Sequence, residues 1–180
     1  VPLTSNFEID TNTVLQTLKQ HKNIKMLFVC SPNNPSGNQM AKHDIEKILQ
    51  VFAGLVIVDE AYIDFAPNAS LTTLLNQYPN LVVLQTFSKA WGMAALRLGM
   101  AFAQKEIIQI LNKIKPPYNI NQLTQEKVLH ALSMNHVRKE KVAEILSLKA
   151  ELSATLQNLP QVEKVHPSDA NFILIKVRNA

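Results

Sequence analysis

Lys89 stands in the run Thr86-Phe87-Ser88-Lys89, directly after the apolar stretch Leu81–Gln85. Two further polar clusters are placed in the same way. Asn33-Asn34 follows Met26–Cys30, and Asp59-Glu60-Ala61-Tyr62 follows Leu55–Val58. Arg97 immediately precedes a fourth apolar run, Leu98–Ala103. An amine acts as a nucleophile toward carbonyls once burial and neighbouring cations lower its pKa. A carboxylate can keep a proton on a basic nitrogen, and a phenol and an amide can donate to an oxyanion. Hydroxyls and a guanidinium fork suit a phosphate. Each residue also has an ordinary reading: Asn34 as a turn former, Asp59 as a cap, Lys89 and Arg97 as solvated charges. What weighs against four separate coincidences is that the clusters all sit at strand ends.

The elements that must position these groups follow from apolar periodicity. Runs suited to buried strands (Met26–Cys30, Leu55–Val58, Leu81–Gln85 and Leu98–Ala103) alternate with helical spacing, which predicts βα units and a mainly parallel sheet. Lys42 to Phe52 puts Ile45, Ile48, Leu49 and Phe52 on one helical face, with Gly54 expected to close it. Leu71, Leu74 and Leu75 predict a shorter helix stopping near Pro79. Other helices are expected from Asp10 to Gln20 and from Lys105 to Lys115, before Pro116-Pro117. Asn121 to Asn158 reads as helix interrupted near Asn135, followed by strands near Val162–Val165 and Phe172–Val177. These patterns divide the chain into a large α/β domain over 1–115, linking helices over 116–160, and the start of a small α+β domain over 161–180.

Ligands of open parallel sheets bind outside the carboxyl ends of the strands. Asn34, Asp59, Tyr62 and Lys89 therefore converge on one rim if their strands are parallel neighbours. The connection from Lys89 to Arg97 is too short for a crossover of a dozen or more residues. The strand over 98–103 is thus expected to run antiparallel, which brings Arg97 back to the same rim. The loop Ser31-Pro32-Asn33-Asn34-Pro35-Ser36-Gly37-Asn38 joins two prolines and one of the chain's four glycines, a composition that stiffens the backbone around an amide.

Composition sets the outer limits. A hydrophobic fraction of 47% with 18% charged residues is an ordinary globular balance, and a net charge of +4 without a basic block argues against nucleic acid. Cys30 is the only cysteine, so neither an internal disulfide nor a cysteine zinc cluster is possible. The five histidines share no metal-ligand spacing, and no metal is expected. Cys30 itself is expected to be a small buried hydrophobe. No apolar run approaches the roughly 20 residues of a membrane span. Free thiol usage and the lack of a signal-peptide pattern suit the cytoplasm.

Pyridoxal 5'-phosphate has the features this donor set would recognise. It offers a carbonyl for an amine, a ring nitrogen that a carboxylate keeps protonated, a phenolate oxygen for Tyr62 and Asn34, and a phosphate for Thr86, Ser88 and Arg97. The segments SPNNPSG, VIVDEAYIDF, TFSKAWGMAALRLGMA and SDANFIL occur here in order, and with them the whole chain resembles the fold-type-I pyridoxal-phosphate aminotransferases. Within them it is most similar to the histidinol-phosphate aminotransferase family. That resemblance implies Lys89 as the Schiff-base lysine and proton carrier, and Asp59 on the pyridinium nitrogen. It implies Asn34 and Tyr62 on the phenolic oxygen, Thr86, Ser88 and Arg97 on the phosphate, and Ala61 against the ring. The activity it implies is amino transfer between histidinol phosphate and 2-oxoglutarate in histidine biosynthesis, in a homodimer. Other amino-acid aminotransferases, a phosphothreonine decarboxylase and a non-catalytic scaffold that holds cofactor weakly stand as alternatives. Ser36 replaces the family's usual threonine, and Ala95 stands where a glycine is common. The resemblance also places a phosphate loop, a ring-stacking residue and a partner-supplied tyrosine upstream of Val1. A substrate-carboxylate arginine is expected downstream of Ala180, so the chain is expected to be the middle of a longer enzyme.

Overall fold

Met26–Cys30, Leu55–Asp59, Leu81–Thr86 and Gly99–Ala103 form strands β1 to β4 of one sheet in that spatial order, in a computed structural model that describes residues 1–178. β1 pairs parallel with β2 from Met26↔Leu55 to Cys30↔Asp59, and β2 pairs parallel with β3 up to Asp59↔Leu84. β4 runs antiparallel to β3 from Val82↔Ala103 to Thr86↔Gly99. The short Lys89-to-Arg97 connection permits nothing else. The carboxyl ends of β1, β2 and β3 and the start of β4 consequently share one rim.

Side chains alternate across a sheet with period two, so each face has its own fate. Val29, Val56, Val58, Leu81 and Val83 project to one face, against helix α1 (Thr11–Gln20) and helix α2 (Lys42–Val51). There Val14, Ile45, Ile48 and Leu49 complete the core, with Leu71 and Leu74 of a 3-10 turn. Asp10 caps α1, its carboxylate accepting from the Thr13 hydroxyl at 2.7 Å and the Thr13 N–H at 3.0 Å. These bonds, the hydroxyl's first, hold that carboxyl below the usual carboxylate range. Ile45 and Ile48 are fully buried. Ile48→Ala is expected to lower stability by about 2–5 kcal/mol, measured by denaturant unfolding, because the close-packed surroundings cannot collapse into the vacated volume.

The opposite face carries Met26, Phe28 and Cys30 along β1, then Asp59 and Thr86. Met26 and Phe28 are 55% and 64% exposed. Cys30 is exposed as well, against the sequence expectation of burial, because its register puts it on the same face of the edge strand β1 as Met26 and Phe28. Gly54 does not close α2 either. The Phe52 N–H donates to the Ile48 carbonyl at 2.9 Å and ends the helix, whereas a Cβ on Gly54 would strike the Lys25 carbonyl and the Phe52 ring. The expected helix around Leu71 is a single 3-10 turn, Leu71–Leu74.

Beyond β4 the chain forms α3 (Lys105–Ile114), α4 (Gln122–Ser133) and α5 (Asn135–Gln157), with the break between α4 and α5 at Met134. β5 (Val162–Val165) and β6 (Ile175–Val177) make a two-stranded antiparallel sheet. β6 is shorter than the expected strand from Phe172, since Phe172 turns aside into a second apolar cluster. That cluster joins Tyr62, Phe65 and Ala90 to Val142, Ile145 and Leu146 of α5 and to Ala170. The last two positions of the expected 161–180 segment lie outside the described residues. No helix among the described residues is long and apolar enough to cross a membrane.

Candidate active site

β2 ends on two adjacent carboxylates, and the pleat gives them different surroundings. Glu60 points into the core side and is 2% exposed. It accepts from Ser70 Oγ at 2.5 Å, the Leu71 N–H at 2.7 Å and Gln85 Nε2 at 2.9 Å, and so caps the 3-10 turn. Asp59 points to the open face, half-buried. One of its oxygens accepts the Ala61 N–H at 3.0 Å, which bends the chain away from the strand. Of the two, only Asp59 lines the open cleft at the sheet's rim.

The loop after β1 is tied to itself. The Asn33 N–H donates to the Asn38 carbonyl at 2.9 Å, and the Gly37 N–H to the Asn33 carbonyl at 2.7 Å. The Asn33 amide donates to the buried Ser36 hydroxyl, which donates to Asn38 Oδ1, both at 2.6 Å. Ser31-Pro32 and Asn34-Pro35 are cis peptides. Gly37 has φ +82°, and a Cβ there would collide with Ser168. This stiff loop presents Asn34, whose Nδ2 donates to the Tyr62 hydroxyl at 3.1 Å. Tyr62 is buried, with the Phe172 ring edge-on at 5.1 Å. Lys89 Nζ lies 5.0 Å from the Tyr62 ring centroid.

After β3, Thr86 Oγ1 accepts the Ser88 N–H at 3.0 Å and donates to the Leu98 carbonyl at 3.2 Å, locking the strand end to its antiparallel neighbour. The Gly92 N–H donates to the Lys89 carbonyl at 3.0 Å, closing a turn with Gly92 at φ +66°. Ala95 lies inside the 3-10 turn Ala94–Leu96, where a Cβ is accommodated. The left-handed position is Arg97, φ +54°, whose Nη1 donates to the Ala94 carbonyl at 3.0 Å. Asp59, Ala61, Thr86, Ser88, Lys89 and Arg97 line one open cleft of about 580 Å³. Asn34 and Tyr62 adjoin it through Lys89. Trp91 and Met93 do not line that cleft and border a neighbouring apolar pocket instead.

Some contacts gave no signal in the sequence. Arg138 of α5 forms an ion pair with Asp64, and its guanidinium lies 4.9 Å from the Trp91 ring centroid. The Gln39 N–H donates to Asp169 at 2.7 Å, and Lys149 Nζ donates to the Ser168 and Ala170 carbonyls at 2.7 and 2.6 Å. Burial holds the Lys149 amine below its usual range, the Asp169 charge opposing this only in part. These partners are far apart in sequence, and only the periodicity of α5, with Arg138, Val142, Ile145 and Lys149 on one face, hints at them.

A parallel sheet closed by one antiparallel strand, with amine, carboxylate, hydroxyls and guanidinium at its carboxyl rim, defines a class, and comparison agrees. Residues 1–180 match the family model for aminotransferase class I and II, and the chain belongs to that family. Among its relatives, the histidinol-phosphate aminotransferase of Cytophaga hutchinsonii is 56% identical over 98% of this chain and 50% of its own length. That of Parabacteroides distasonis is 51% identical over 100% of this chain and 52% of its own. The chain spans about half the length of the curated relatives it matches. The fold is shared with the solved histidinol-phosphate aminotransferase of Clostridium acetobutylicum, at TM-score 0.90 and 23% identity over 99% of this chain and 54% of that one. A decarboxylase from Sulfurospirillum multivorans matches at TM-score 0.85 and 25% identity, over 99% and 53%.

Proposed function

We propose that this segment carries the cofactor site of a pyridoxal-5'-phosphate-dependent aminotransferase acting between histidinol phosphate and 2-oxoglutarate in histidine biosynthesis. The observation that carries the reading is the meeting of Lys89, Asp59, Thr86, Ser88 and Arg97 in one cleft. The donor set fits the cofactor group by group, and the names of the relatives support the substrate. When bound, the cofactor supplies a carbonyl and an electron-accepting ring.

The chain's own residues supply the rest. Asp59, held by the Ala61 N–H, stands where a fixed negative charge keeps a proton on a ring nitrogen. Asn34 and Tyr62, already bonded to each other, offer donors to a ring oxygen. Ser88 and Thr86 hydroxyls and the exposed Arg97 fork, which line the same cleft, suit a phosphate, and Ala61 offers an apolar contact for the ring. Lys89 Nζ, free of any ion pair among the described residues, is the group that accepts and returns a proton.

In this reading residues 1–115 belong to the large cofactor domain, 116–160 link, and 161–180 begin a small domain. The whole protein works as a cytoplasmic homodimer. The test is to add pyridoxal phosphate to the full-length protein, then histidinol phosphate and 2-oxoglutarate. A visible absorbance band and glutamate formation are expected. Absence of the band refutes the cofactor assignment. A band with carbon dioxide release from an amino-acid phosphate, and no glutamate, reassigns the protein to decarboxylation.

A further inference from the structure

Lys89 and Tyr62 come from different loops, which meet where Lys89 Nζ lies 5.0 Å from the Tyr62 ring centroid and Ala90 packs in the same cluster as Tyr62. Tyr62 precedes the 3-10 turn Ile63–Phe65, so Asp64 lies two residues beyond it. Trp91 lies two residues beyond Lys89, inside the turn that the Gly92 N–H closes. One guanidinium reaches both. Arg138 pairs with the Asp64 carboxylate through Nη1, while its Cζ lies over the Trp91 ring, 4.9 Å from the centroid. Its Nε donates to Asn135 Oδ1 at 2.8 Å, which fixes the fork on its own helix.

We infer that Arg138 is a positioning residue that sets the Tyr62–Lys89 geometry by clamping Asp64 and Trp91 together, an inference that rests on the amino-transfer reading above. Arg138 does not line the cleft that holds Asp59; it borders neighbouring pockets with Lys89, Trp91 and Thr86, and so reaches both loops from outside that cleft. The side chains of the pair are 17% and 25% exposed, a setting in which an ion pair contributes little net stability. What the fork does contribute is direction, because a planar group can stack on a ring and donate in its own plane at the same time. One turn further along the same helix face, Val142 and Ile145 pack with Tyr62 and Ala90, the immediate neighbour of Lys89. α5 thus presents one stripe, charged at its start and apolar after it, to both loops.

The test uses the full-length protein with Arg138→Met, Arg138→Lys and Asp64→Asn. In cofactor-free protein, the emission assigned to Trp91 by its loss in Trp91→Phe is expected to shift in both Arg138 variants. The rate at which the visible band appears on mixing with pyridoxal phosphate is expected to fall about tenfold in Arg138→Met, since reacting groups displaced by an ångström lose one to two orders of magnitude. Asp64→Asn should show the same direction, and Arg138→Lys should recover part of the rate by keeping the charge without the stack. The turnover number should fall with that rate while KM for the amino donor stays within about threefold, the pattern of lost transition-state positioning. A lowered melting temperature with unchanged band formation and turnover overturns the inference and leaves Arg138 a stability residue. If Arg138→Met does not fold, Arg138→Lys and Asp64→Asn decide by the same two rates. A wild-type protein that forms no band overturns the amino-transfer reading, and this inference falls with it. A normal wild type with unaffected variants overturns this inference alone.

Discussion

Lys89→Ala in the full-length protein is expected to abolish amino transfer and, with it, the fixation of pyridoxal phosphate to the chain by borohydride. Lys89 is the one lysine that lines the cleft among the described residues, and no arginine can substitute, because a guanidinium does not give up its proton. Two roles disappear together. In the proposed function the amine is the nucleophile that captures the carbonyl, and it is also the base and acid that moves a proton. Loss of a general acid–base group alone costs about 10²–10⁴-fold, so a fall of at least about a thousandfold is expected. The fold should survive, because the Lys89 side chain is exposed and its turn is held by the backbone bond from Gly92 and by buried Ala90. Circular dichroism and a thermal melt check the fold, and the borohydride label, located by peptide mapping, checks the chemistry. Fixation at wild-type stoichiometry in the variant would mean that another lysine carries the cofactor.

The placement of Lys89 was legible because it depends on local rules. Apolar runs of five or six residues followed by polar clusters mark strand ends, and the strand ends of a parallel sheet share a rim. The antiparallel course of β4 followed from a connection too short to cross over. What escaped the sequence is what depends on contact between distant segments. Cys30 looked like a buried residue because its run is apolar, yet strand register puts it beside exposed Met26 and Phe28 on the edge strand. Gly54 looked like a helix stop, but its missing Cβ serves a close approach to Lys25. Asp64 and Arg138 are 74 residues apart, and neither has a local pattern that names the other. Asp59 and Glu60 are a sharper case. Sequence adjacency made them look like one cluster, and only the pleat separates the cleft-lining carboxylate from the capping one.

That separation predicts opposite outcomes for two neighbouring isosteric substitutions. Asp59→Asn keeps the shape and can still accept the Ala61 N–H, so the loop and much of the cofactor affinity should persist. What it removes is the negative charge that, in the proposed function, makes protonation of a ring nitrogen favourable. A hydrogen bond to a charged group contributes about 1.5–3 kcal/mol, and each 1.4 kcal/mol or so is about tenfold in rate, so turnover should fall about a hundredfold. Thermal stability should hardly change. Glu60→Gln does the reverse. Its carboxylate accepts from a hydroxyl, a backbone N–H and an amide, and a glutamine amide would turn donors toward donors. Stability should drop by about 1–3 kcal/mol, the cost of leaving a buried polar group unsatisfied. Cofactor binding and turnover at a temperature where the variant is folded should stay close to wild type. Measuring the melting temperature, the visible band and the turnover number for both variants decides the assignment. Near-normal turnover in Asp59→Asn, or a collapse of turnover in folded Glu60→Gln, would mean that the wrong carboxylate of the pair has been placed at the ring nitrogen.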